Sequence, residues 1–155
     1  MSYISRPTVT RDANTTAYTA GDVVGGVINF KGMPAKADIL VTSVDLRVDI
    51  ASIPSGMTSF RLHLYKERPA SALADNAAWD LPSGDRDDYI GFADVGVIAD
   101  LGSTLYVQNS DIRMQVRTGD IGLFGYLVTT GAFTPASNSE VYRPCVRAYP
   151  LSGAA

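Results

Sequence analysis

From Val44 to Ile50 apolar and charged residues alternate without a break: Val44, Leu46, Val48 and Ile50 against Asp45, Arg47 and Asp49. A period of two is satisfied by an extended strand, whose successive side chains point to opposite faces. One face is then buried and the other wet, which is the habit of antiparallel sheets. The pattern returns where Phe60, Leu62 and Leu64 alternate with Arg61, His63 and Tyr65. Between the two runs lies Pro54-Ser55-Gly56, with turn chemistry: proline presets φ and glycine accepts positive φ. Together the runs predict a hairpin whose second strand carries His63 on its polar face.

The rest of the chain supplies further short strands. Asp22 to Phe30 is β-branched and bounded by Gly21 and Gly32, and Gly25-Gly26 marks a bulge or a close backbone approach. Tyr89 to Leu101, Thr104 to Gln108 and Ile112 to Arg117 resume strand character, and Gly119-Asp120 is a turn. Gly122 to Thr130 is nearly all apolar or aromatic and predicts a strand buried on both faces. Val141 to Tyr149 reads as a last strand, assigned to a sheet edge because Pro144 has no N–H to give a ladder. Between Pro69 and Gly84 the alternation stops, and residues 72–79 predict one short helical turn capped by Asp75 or Asn76.

Residues 1–21 are polar, rich in Thr and Ala, and aperiodic, with Pro7 barring helix. They predict an extended N-terminal arm with Tyr3, Ile4 and Tyr18 available for docking. About seven to nine short strands, regular turn signals and no long amphipathic helix specify an all-β fold, an antiparallel two-sheet β-sandwich. Whether its strand order is that of a jelly roll or a simpler sandwich stays open. The expected organisation is an arm over residues 1–21, a sandwich over 22–151 and a tail over 152–155.

The chain has 155 residues, which suits one domain. A chain of this size buries roughly 70% of its unfolded surface and needs no covalent staple. Cys145 is the only cysteine, so no intrachain disulfide is expected, as in a reducing compartment. The start, Met1-Ser2-Tyr3-Ile4-Ser5-Arg6-Pro7, has no apolar signal-peptide core, and no apolar run approaches a membrane span. The net charge is −3, and basic residues are scattered singly; the tightest group, Lys66-Glu67-Arg68, is broken by a glutamate. Nucleic acid and anionic membrane are therefore not expected partners. Charged residues make up 19%, below the usual share of about 25%. Such neutrality suits buried interfaces, or equally a surface solvated by Ser, Thr and Asn.

No catalytic set assembles from the chemistry-bearing residues, and none is expected to hold a cofactor or a metal. His63 lacks a recognisable nucleophile or orienting acid beside it, and no strand–Gly-x-Ser-x-Gly–helix elbow occurs. It is expected at the surface or an interface. Cys145 reads as a buried structural thiol, since a nucleophile needs a base and an electropositive setting. Asp85-Arg86-Asp87-Asp88 is the densest acidic group, but it lacks EF-hand spacing and contains an arginine, so a solvated loop is the favoured reading over a cation site. The glycines open no phosphate-binding loop. Trp79, Tyr89 and Phe92 either form an aromatic platform for sugar or, as aromatics more commonly do, plug the sandwich.

Four segments, in order, resemble a family of small structural proteins encoded in tailed bacteriophages and prophages. Thr16 to Gly25 (TAYTAGDVVG) resembles the family's opening segment, and Leu62-His63-Leu64-Tyr65 followed by Pro69 resembles its strand end. Ala74-Asp75-Asn76-Ala77-Ala78-Trp79 resembles its "ADNAAF" turn with Trp in place of Phe. Gly122 to Thr130 with Gly131-Ala132-Phe133-Thr134-Pro135-Ala136-Ser137 resembles its "GAYTPAS" ending. The resemblance runs from about Arg6 to Leu151. It implies a non-enzymatic virion component made in the host cytoplasm, placed as a head decoration or cement protein on the outer capsid. The implied partner is the major capsid protein, with self-association as a dimer or trimer. Tyr3, Ile4, Arg6, Arg11 and Tyr18 are the expected contact residues. The competing readings are a tail, fibre or baseplate component and a carbohydrate-binding virion module.

Overall fold

Alternating stretches do become strands, and a computed structural model describing residues 1–151 shows how they pair. The expected tail, 152–155, lies outside the described residues. In chain order the strands are β1 (Tyr3–Ser5), β2 (Val9–Thr10), β3 (Val23–Phe30), β4 (Asp38–Val48), β5 (Ser59–Tyr65), β6 (Tyr89–Val97), β7 (Ala99–Asp100), β8 (Leu105–Asn109), β9 (Met114–Arg117), β10 (Leu123–Thr129) and β11 (Val141–Pro150). They form two antiparallel sheets. The seven-stranded sheet runs β1-β11-β4-β8-β7, with β2 also on β11 and β9 also on β4; the four-stranded sheet runs β3-β10-β5-β6.

The pairing is nested. The first strands (β1, β2) pair with the last (β11), β3 with β10, β4 with β8 and β9, and β5 with β6. The chain passes back and forth between the sheets as it winds inward, which is the strand order of a jelly roll. This resolves the choice left open by the sequence.

The predicted hairpin between β4 and β5 does not form. β4 lies in the larger sheet and β5 in the smaller, so the segment with Pro54-Ser55-Gly56 bridges the two layers. Alternation fixes which face of a strand is buried; it carries no information about which neighbour it pairs with. The inward residues of both strands (Val44, Leu46 and Val48; Phe60, Leu62 and Leu64) meet in one core between the sheets.

Three further expectations are corrected. Residues 72–79 form turns rather than a helix, and the one helical turn, a 3-10 turn, is at Ser83–Asp85. The 72–79 segment instead folds back on β3: Val23 N–H donates to Ala77 C=O at 2.8 Å, and Asn76 N–H to Val23 C=O at 2.8 Å. Pro144 does not place β11 at an edge, because β11 lies between β4 and the β1/β2 pair. The proline is tolerated because its outer neighbour is broken there: β1 ends at Ser5 and β2 begins at Val9. Finally, residues 1–21 do not stand apart as an arm. β1 and β2 complete the larger sheet, and Tyr18 bridges to Phe133.

The Gly25-Gly26 expectation holds. Val24 is opposite Leu127 and Ile28 opposite Gly125, so Gly25, Gly26 and Val27 together face Tyr126 across a bulge. Both glycines have φ near +90°, at 86° and 88°. A Cβ on Gly25 would overlap the side chain of Val9, so the close approach of β2 to β3 also requires glycine there.

The smaller sheet is covered on its outer face as well. Val23, Tyr65, Phe124, Tyr126 and Val128 form a second apolar cluster, roofed by Leu73, Trp79 and Leu81 from the β5–β6 connection. This explains why β10 is buried along its whole length, as its unbroken apolar run predicts.

Candidate functional site

Three of the four segments that carry the phage-like resemblance meet in one polar knot, part buried and part exposed. Tyr18 donates its hydroxyl hydrogen to Asp75 Oδ1 at 2.6 Å and accepts from Arg11 Nη1 at 3.3 Å. Asp75 also receives Gly25 N–H at 2.8 Å and Asp12 N–H at 3.2 Å. Asn76 Nδ2 donates to Ala17 C=O at 3.1 Å. Arg11 Nη2 donates to the Ser137 carbonyl at 2.7 Å, and Tyr18 N–H to that of Phe133 at 2.8 Å. Arg11 Nε faces Glu140 Oε1 at 3.4 Å, an ion pair with both side chains all but sealed from water. Burial, together with the bond to Asp75, pushes the Tyr18 hydroxyl pKa far up, so it stays neutral. These contacts lock segments distant in sequence, with Arg11 Nε and Glu140 Oε1 meeting as an ion pair rather than a hydrogen bond. Its role is architectural.

The remaining landmark, at Leu62–Tyr65, builds the aromatic cluster on the outer face of the smaller sheet. His63 is buried, its ring stacked on Trp79 at 3.7 Å, and its Nδ1 is hydrogen-bonded to the Tyr89 hydroxyl at 2.8 Å. The surface or interface position expected for His63 is therefore corrected: the β5–β6 connection covers it. Burial first, and the nearby Arg61 second, lower its pKa to about 4. Trp79 also donates Nε1–H to Tyr65 at 3.1 Å. Trp79 and Tyr89 therefore do not plug the space between the sheets but cover the outer face of the smaller one, while Phe92 keeps an exposed ring with Arg61 lying over it at 4.6 Å.

Asp85 turns inward, accepting Ala70 N–H at 2.9 Å, and is buried rather than solvated as expected for its loop. It pins the β5–β6 connection, and no group of three or more potential metal ligands occurs among the described residues. Cys145 is buried as expected; burial, with Asp45 alongside, raises its pKa and keeps the thiol protonated.

The predicted contact residues separate into two sets. Tyr3 packs inward against the main core, and Arg11 and Tyr18 are closed inside the knot. Ile4 and Arg6 instead reach the outer face of the larger sheet. Ile4 is 55% exposed and pairs in register with Arg147. Arg6 holds Asp45 in a two-pronged contact at 2.7 and 3.3 Å, with Arg147 3.8 Å away on the other side. Asp49 is likewise held between Arg47 at 3.1 Å and Arg143 at 3.0 Å. Despite its partial burial, these two arginines hold the Asp49 carboxyl below the usual range. Four arginines thus share this face with two aspartates, in a chain whose net charge is −3.

Arg47, Arg143 and Arg147 were missed from sequence because each stands alone there. The usable signal was strand parity: Arg47, Arg143, Cys145 and Arg147 all take outward positions once β4 and β11 pair.

No family model matches the chain, and no curated protein matches it in sequence. Among solved structures, the chain overlays on one titled the capsid asymmetric unit of cyanophage Pam1, with 13% identity and a TM-score of 0.40, covering 97% of this chain and 85% of that one. It overlays on Maize Chlorotic Mottle Virus with 13% identity and a TM-score of 0.28, covering 100% and 96%. A third is Clostridium thermocellum xylanase 10B with its CBM22-1 and GH10 modules, at 8% identity and a TM-score of 0.31, covering 99% of this chain and 27% of that one. Overlaps this loose carry no functional argument.

Proposed function

We propose that the chain is a bacteriophage virion structural protein, a head decoration or cement protein that binds the major capsid protein on the outer shell. The observation that carries this is the outer face of the larger sheet, where Ile4, Arg6, Arg47, Arg143 and Arg147 come together on paired strands. The phage-like landmarks support the setting, because three of the four resembling segments meet at the polar knot. A jelly roll serves viral shells and lectins alike, so fold alone does not choose the role.

The physics of the role is undemanding. Exposed ion pairs contribute little individually, about 0–1 kcal/mol each. A shell repeats its sites, however, and a self-associated dimer or trimer engages several at once, raising avidity without new contacts. Guanidinium groups suit carboxylates because their planar forks match carboxylate geometry.

Purified heads lacking this protein, mixed with the wild-type chain, should bind it in a fixed ratio by co-sedimentation. The R143E/R147E variant, with folding checked by its thermal transition, should bind about tenfold or more weakly, since close charge pairs at interfaces are worth upwards of about 1.5 kcal/mol. Equal binding by the variant would discard this face. A virion map placing the chain on the tail, fibre or baseplate would discard the head assignment, and its absence from virions would discard the whole reading.

A further inference from the structure

The sandwich has an open side where the end strands of its two sheets, β1 and β3, face one another. Between them runs a groove of about 520 Å³, lined by Ile4, Arg6, Thr8, Val27, Asn29 and Lys31 among others. The two halves of β3 differ along this edge. The first half is already capped by the chain itself: Val23 exchanges bonds with Asn76 and Ala77, and Gly25 N–H is taken by Asp75. Past the bulge, no strand among the described residues pairs with the outer edge of β3. An unpaired edge presents a row of backbone donors and acceptors and is a template for another strand.

A second observation points the same way. Asn29 lines this groove, and its buried Oδ1 has no hydrogen-bond donor among the described residues. A buried acceptor without a donor costs stability, so an N–H brought into the groove is favoured. Lys31, exposed at the end of the groove, offers a cation to a passing side chain. The space is concave and bounded by the Ile4–Thr10 segment on one side. A groove of about 520 Å³ is the scale of a short extended segment rather than of a whole second sandwich edge.

We infer that this groove receives an extended segment of a partner protein, which pairs with β3 over Val27–Phe30, donates an N–H to Asn29 Oδ1 and sets a carboxylate against Lys31. Four strand residues span roughly 13 Å, so a short segment suffices. This is β-augmentation, in which backbone bonds give affinity and side-chain pockets give selectivity. It does not depend on where, or whether, the chain sits in a particle.

The test uses the full chain and displayed libraries of short random peptides. The selected peptides should slow amide exchange most strongly at Val27–Lys31. N-methylation of alternate peptide nitrogens should weaken binding about tenfold for one parity and leave the other unchanged, since a strand turns every second N–H toward its neighbour. K31E should weaken the acidic binders and leave the thermal transition unmoved. Protection centred on any other surface, equal tolerance of N-methylation at both parities, or no binder at all would overturn the inference.

Discussion

Tyr18 and Arg11 are polar residues in a polar segment, yet both are buried. Their burial is supported by partners: Asp75 and Arg11 for the hydroxyl, the Ser137 and Asn14 carbonyls for Arg11 Nη2, and the Glu140 carboxylate as an ion pair for Nε. Tyr18→Phe should cost about 1–3 kcal/mol in urea unfolding, because it strips a donor from the half-buried Asp75. Arg11→Met should cost about 3–5 kcal/mol by leaving Glu140 charged and unpaired. The double variant with Glu140→Gln should recover part of that loss, and a cycle without coupling would mean the pair is not a unit. His63 gives a pH signature. Its pKa is about 4 in the folded chain against 6.5 in the unfolded one. Between those values the unfolded state binds the extra proton, so stability should fall as pH drops from 6.5 toward 4 and level off below. The full effect is on the order of 3 kcal/mol. Thermal midpoints across that range should flatten in His63→Phe; an unchanged slope would assign the acid sensitivity to another group.

At the scale of elements, the N-terminal strands behave as parts of the body. β1 and β2 cover the outer edge of β11, and Val9 lies in the main core against Gly25. Removing residues 1–10 should therefore lower stability by at least about 2 kcal/mol, the worth of one buried aliphatic side chain with its ladder bonds. A truncated chain with an unshifted thermal transition would show these strands to be dispensable. Gly25→Ala should also destabilise, through both its positive φ and the overlap with Val9. Strand identity was legible in Val44–Ile50 and Phe60–Tyr65 because alternation is a local property. The second apolar cluster was not, because burial of His63 and Tyr65 depends on Leu73, Trp79 and Leu81 folding back over the sheet.

Across the whole molecule, charge is sorted in a way composition conceals. An acidic chain places four arginines and two aspartates on one sheet face, while its uncovered β3 edge opens on another side. The flat face and the open groove are separate surfaces that share Ile4 and Arg6 along one border. Raising salt should weaken binding through the arginine face and leave strand pairing in the groove largely intact, because exposed charges are screened over about 8–10 Å and backbone bonds are not. Measuring both bindings from low to high ionic strength checks this, and parallel losses would mean that one surface serves both.

The all-β class, the amphipathic core strands, the enclosure of β10 on both faces and the break at Gly25-Gly26 are written in local residue order. Each follows from side-chain period or backbone freedom, which neighbouring residues express directly. The nested strand order, the burial of Arg11, Tyr18 and His63, the gathering of the arginines and the unpaired edge of β3 arise with folding. Those depend on partners brought together by folding, as when Arg11 meets the Ser137 carbonyl 126 positions away, and no local pattern encodes which distant group will arrive.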